Sequence, residues 1–194
     1  VINGYNSTSG GGLRILETFI SFLEDERFEI VNCEIGVILS PRHREGLRQR
    51  AANAGLRIHI FRITGFQLID QFALYFFFLP LKLLQFRRPK SLLNFGDLVV
   101  PFVANQVYYF DWIYATSSDP MVWAAMPRRE KFLRLLKRAL IRKLAGMPRS
   151  FVVQNGFVYT EVSRAFGRSD AVCIPPPITP QFTEGADCFI PEYI

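Results

Sequence analysis

The sequence predicts an α/β fold in which a mostly parallel sheet is covered by helices on both faces. Three observations carry this. Short apolar runs alternate with longer helical stretches along most of the chain. Some of the runs, such as Phe151-Val152-Val153 and Ala171-Val172-Cys173-Ile174, are apolar throughout, as strands buried on both sides must be. Hydrophobic residues make up 49% and charged residues 21% of 194 positions, enough apolar material for a sizeable core.

Residues 1–5 read as a short strand, and Ser9-Gly10-Gly11-Gly12 as a loop after it. Positions 13–24 carry Leu13, Leu16, Ile20 and Leu23 at helical spacing. The run 35–39 is a buried strand stopped by Ser40-Pro41, and 42–53 is a polar helix with Gly55 as its C-terminal stop. Residues 56–63 (LRIHIFRI) alternate with period two, a strand signal. A long apolar helix is predicted over 67–86, with Pro80 kinking or ending it. Strands follow at 91–95 and 106–110, a strongly basic helix at 128–144, a strand at 150–154, a helix at 157–166 and a last strand at 171–174. Pro175-Pro176-Pro177 reads as a linker, which divides the chain into a domain over 1–177 and a linker or domain start over 178–194.

The composition narrows the chemistry. Cys33, Cys173 and Cys188 are odd in number and form no CxxC, which speaks against a disulfide framework and for a reducing compartment. With His43 and His59 the only histidines, no zinc spacing can be assembled, so no metal is expected. Both histidines read as surface or strand residues. The net charge of +6 favours an anionic partner. The opening VINGYNSTSGGG has no charged n-region and no apolar h-region, so it does not read as a signal peptide. A cytoplasmic protein, peripheral on the inner face of a membrane, is the expectation.

Four constellations could carry function. Gly10, Gly11 and Gly12 follow the first strand and open a helix, where free N–H groups attract phosphate, with Arg14 adding charge. The alternative there is a tight turn with no ligand. Asn94, Asp97, Asp111 and Asn155 sit at or just after later strands, on the rim that the glycine loop also occupies. Each could equally be an Asx turn or a helix cap. Residues 128–149 hold nine Lys/Arg and one acid, with Lys131, Arg134, Arg138 and Arg142 on one stripe and Phe132, Leu133, Leu136, Leu140 and Leu144 opposite. That pattern suits a helix on an anionic membrane, or an ordinary surface helix with one face in the core. Nucleic acid ranks last, because no helix-turn-helix, RNP motif or second basic helix is present. Finally, Gln71 to Leu81 (QFALYFFFLPL) is half the length of a spanning helix and reads as a core or an interfacial helix.

Taken in order, S-G-G-G-x-R before a helix, a mid-chain strand ending in Asp111, F-V-V-Q-N, A-F-G-R-S-D and I-P-P-P resemble the N-terminal domain of family 4 glycosyltransferases. The resemblance covers residues 3–177 and implies a Rossmann-like three-layer domain, the N-terminal half of a GT-B fold. It implies transfer of a sugar from a nucleotide-sugar co-substrate to a saccharide or lipid-linked acceptor in glycan or polysaccharide biosynthesis, with no further cofactor. Gly10, Gly11 and Gly12 would approach the donor diphosphate. Many members of that family carry His where this chain has Asp111, which makes Asp111 the candidate catalytic group. The family's donor domain, with its paired glutamates, has no counterpart in the residues after Ile174, so this chain would act with a C-terminal donor domain supplied in cis or in trans. A non-catalytic membrane-associated binding or scaffold subunit of the same fold is the alternative. An ordinary Rossmann nucleotide-binding protein fits less well, since there is no GxGxxG and no acid ends a clear second strand.

Overall fold

A computed structural model describes residues 1–8, 10–25, 35–84, 91–117 and 119–175. Ser9, Cys33, Arg87, Arg88, Lys90, Pro176, Pro177, Cys188 and the whole of 178–194 lie outside the described residues. The elements in chain order are β1 (Ile2–Asn3), α1 (Gly10–Asp25), β2 (Gly36–Leu39), α2 (Glu45–Asn53), β3 (Arg57–Ile60), α3 (Gln67–Ala73), a π turn (Leu74–Phe78) and α4 (Leu79–Leu84). Then come β4 (Leu92–Asn94), β5 (Gln106–Phe110), a 3₁₀ turn (Ile113–Ala115), α5 (Pro120–Ala124), α6 (Arg128–Leu144), β6 (Ser150–Val153), α7 (Gly156–Phe166) and β7 (Val172–Cys173).

All seven strands pair in parallel, in the order β3-β2-β1-β4-β5-β6-β7. The fold is therefore the α/β, Rossmann-like three-layer arrangement that the alternating pattern predicts. Strand order runs one way from β1 to β3 and the other way from β4 to β7. Because parallel crossovers are right-handed, that reversal sends helices to opposite faces. Leu16 and Ile20 of α1 join Leu47 and Ala51 of α2 over one face. Leu74, Tyr75 and Leu79 of the α3–α4 run share the other face with Ile141 and Leu144 of α6 and Val162 of α7. In β5 the period of two is visible directly: Tyr108 and Phe110 enter the second layer, Tyr109 the first. The reversal falls between β1 and β4, the switch point at which open parallel sheets bind ligands beyond the carboxyl ends of their strands.

The strands are shorter than their apolar runs. Residues 1–5 contribute only Ile2–Asn3, because Tyr5 and Asn6 already turn. β7 departs from expectation. Its apolar run reads as interior, yet it is the edge strand, and Val172 and Ile174 are exposed. The glycines differ too. Gly10, Gly11 and Gly12 are the first turn of α1 rather than a loop before it, and Gly10 has φ +63, which favours glycine.

Pro80 does not end its helix. A proline ring clashes with the carbonyl four residues back and removes one N–H. The π turn Leu74–Phe78 widens the coil at that point, and the helix continues to Leu84. Gly55, with φ +69, does follow the last turn of α2 as predicted. α5 and the 3₁₀ turn went unpredicted: both are too short to show a period, although Asp119 caps α5 through Met121 N–H at 2.8 Å.

Beneath the rim lies a ladder of buried amides. Asn3 Nδ2 donates to Asn94 Oδ1 at 2.8 Å, and Asn94 Nδ2 donates to Gln106 Oε1 at 2.9 Å and to the Leu98 carbonyl at 2.8 Å. Asn94 Oδ1 also accepts from Gly96 N–H at 3.1 Å, so its two donors and two acceptor sites are all used. Gln106 closes the connection between β4 and β5 by bonding both the N–H and the carbonyl of Val100, each at 3.0 Å. Asn94→Ala would strand several buried partners at once. A loss of about 2 kcal/mol is expected, read as a lower urea midpoint with unchanged slope.

Candidate functional site

The candidate site is built from the ends of β1, β4 and β5 and from the start of α1. β1 runs into Gly4, whose missing side chain lets Leu16 of α1 close down: a Cβ there would lie 2.5 Å from Leu16 Cδ2. The connection is then pinned. Ser7 Oγ donates to the Phe95 carbonyl at 3.2 Å. Ser40 N–H meets His43 Nδ1 at 3.0 Å, and in that tautomer Nε2 donates to the Ser7 carbonyl at 2.9 Å. His43 is thus neither a surface nor a strand residue; it is a buried brace between two strand ends. His59 lies on β3.

This bracing fixes the first turn of α1 against Asp111. A Cβ built on Gly12 would stand 3.3 Å from Asp111 Oδ2 and 3.7 Å from Ser7 Oγ. Gly10 and Gly11 have nothing within 4 Å of the same position, so space is open above them. The first-turn N–H groups of a helix have no partners within it, and the helix dipole adds positive potential there. An open, glycine-lined helix start beside a carboxylate is the site's defining feature.

Asp111 follows β5 directly. Its side chain is open to solvent, but strand ends crowd its flanks. Burial on those flanks, then the neighbouring Asp97 carboxylate, push its pKa up from 3.8 to about 6, against the pull of its own backbone N–H. Such a carboxylate is mostly ionised near neutral pH yet accepts a proton readily. Asp97 pairs with Lys137 Nζ at 2.6 Å, both partly buried. Lys137 therefore brings a cation from α6 to the rim. Tyr109, on the α1 side of β5, has its phenol held up to about 12 by burial and by Asp111, with Gln154 pulling the other way, so it stays a neutral hydroxyl.

The other residues singled out in the sequence lie elsewhere. Asn94 is wholly buried and spent on the amide ladder. Asn155 is the N-cap of α7, accepting from Val158 N–H at 2.9 Å. Arg14 is exposed on the second turn of α1. The stripe expected to face outward on α6 divides. Arg134 bonds Glu130 and stacks its guanidinium 3.8 Å from the centre of the Tyr114 ring, and Arg138 lies 5.5 Å from the centre of the Trp123 ring. These two turn toward the protein, because the 3₁₀ turn and α5 supply aromatic faces that cations favour. Arg142 is exposed and Lys131 partly so. The sequence reading missed Lys137, Tyr109 and His43. Lys137 lay hidden among eight other basic residues, although its spacing of seven from both Glu130 and Leu144 places it on the inward stripe.

Apart from this site, a depression of about 170 Å³ opens beyond β1 and β2, lined by Tyr5, Ser40, Arg42, Arg62 and Asp70. Asp70 is committed there: it accepts from Thr64 N–H at 2.7 Å, Thr64 Oγ1 at 2.9 Å and Gly65 N–H at 3.0 Å. Among the described residues no cluster of three or more His, Cys, Asp or Glu side chains is placed to hold a metal ion. No family model, no curated protein and no solved structure matches this chain.

Proposed function

We propose that this site is the acceptor-side half of a glycosyl-transfer site that takes a nucleotide sugar. One observation carries the reading: the open helix start at Gly10–Gly12 faces the Asp111 carboxylate, whose Oδ2 stands 3.3 Å from where a Cβ on Gly12 would lie. A diphosphate laid over the helix start would be held by free N–H groups, which also stabilise it as it departs. An acceptor hydroxyl beside Asp111 would attack the anomeric carbon. The carbon–oxygen bond to the diphosphate breaks as the new glycosidic bond forms. Asp111 takes the hydroxyl proton, and the diphosphate leaves with the bonding pair. Lys137 adds positive charge near the rim, partly offset by Asp97. The donor domain that completes such a site would come from a further domain, in cis or in trans.

The test is binding of a nucleoside diphosphate, followed calorimetrically. Gly11 has open space at its Cβ position, so Gly11→Val leaves the fold intact and covers the helix start. Affinity should fall about tenfold or more, since at least one charge-assisted N–H contact is lost. Equal affinity of the variant and the parent chain would remove the diphosphate from this site.

A further inference from the structure

We infer that the outer surface of the α3–α6 helical layer is a docking face for an anionic phospholipid bilayer. Two exposed apolar patches carry this. On α6, Phe132 is 67% and Leu136 50% exposed. On the α3–α4 run, Phe72 is 54% and Phe77 58% exposed. Both helices bury their inner residues in one core cluster, against the same face of the sheet. Their outer faces therefore look out from one layer. A broad flat partner can meet both patches, whereas single exposed apolar residues scattered over a surface would mean nothing.

Charge selects the partner. Arg128, Arg129, Arg142 and Lys143 of α6 are exposed beside Phe132 and Leu136. The sole acid of α6, Glu130, is tied to Arg134, and the sole acid of the α3–α4 run, Asp70, is buried. These two helices thus present apolar side chains and cations with one acid paired and the other buried, which is the composition of a helix lying in an anionic headgroup region. It is also why the inward turn of Arg134 and Arg138 does not remove the membrane reading: it moves the reading to a different set of residues. Among the described residues no helix is long and apolar enough to cross a membrane, so the contact lies in the interface. The inference stands independently of the glycosyl-transfer reading.

Sedimentation of the full chain with phosphatidylcholine vesicles, with and without phosphatidylglycerol at about a third of the lipid, tests it. Binding should require the anionic lipid and weaken with salt. Arg129→Gln with Arg142→Gln should weaken binding about 20- to 30-fold. Arg44→Gln with Arg50→Gln on α2 removes the same charge from the opposite layer and should change binding less than threefold, apart from long-range effects that salt suppresses. Phe132→Ser with Leu136→Ser keeps every charge and should also weaken binding at least tenfold. Three results would overturn the proposal: no sedimentation with either vesicle, equal losses from both arginine pairs, or a stable dimer in solution that Phe132→Ser with Leu136→Ser disperses.

Discussion

On the proposed glycosyl-transfer reading, Asp111→Asn is expected to lower sugar transfer by about 10²- to 10⁴-fold, the range for removing a positioned general base. The amide keeps the shape and can still hydrogen-bond a hydroxyl, so acceptor affinity should hold while the turnover falls. The same change should make the protein more stable at neutral pH. The sign follows from the proton. Asp111 has a folded pKa of about 6 against an ordinary 3.8, so folding favours its protonated form. That advantage is fully present below about pH 4 and is lost as pH rises through about 6. At pH 7 the ionised carboxylate is a net cost, and its removal should add about 1 kcal/mol after solvent screening of this exposed group. Urea titrations at pH 7 and pH 3.5 check it: the gain should be present in the first and gone in the second. A variant that is less active and more stable is the mark of a residue kept for function at the expense of the fold.

Gly96→Ala should cost about 3 kcal/mol, the upper part of the range for overpacking. A Cβ at Gly96 would lie 1.5 Å from the Tyr75 hydroxyl oxygen and 2.8 Å from its ring carbon Cζ. Tyr75 is fully buried, so its ring has nowhere to withdraw. Thermal or urea unfolding reads the loss. Tyr75→Phe in the same chain removes the nearer atom but not the farther one, and should restore part of the stability. The pair would then be non-additive, as residues in contact are. Full additivity would mean that the two side chains do not meet.

The fold was legible because its signals are repetitive. Helical spacing in α1 and α6 and the apolar runs of β2, β5 and β6 name their elements almost residue by residue. What escaped were features set by tertiary partners. Pro80 reads as a kink or an end; the helix does not end there, because a widened turn just before it takes up the misfit. Asp97, Asn94 and Asn155 look alike as polar residues near strand ends. Only the structure separates a rim carboxylate tied to Lys137 from a buried amide and a helix cap. The α6 stripe misled for the same reason. A helical wheel gives the angles between side chains and not which angle faces the sheet, and the aromatic cluster that draws Arg134 and Arg138 inward comes from two turns too short to predict. Gly12 and Asp111 are about a hundred positions apart, and nothing in their local sequence joins them. The parallel order of β1, β4 and β5 does.

On the proposed reading the start of α1 and Asp111 form one anion-sensitive site. Carbon-13 NMR of the Asp111 carboxyl, titrated with and without a nucleoside diphosphate, tests it most directly. A midpoint near 6 is expected in the free protein, because burial and Asp97 raise it. A higher midpoint is expected with the diphosphate present, because added negative charge disfavours the carboxylate, together with shifts of the Gly10–Gly12 amides. A carboxyl that titrates identically in both samples, with those amides unmoved, would contradict it.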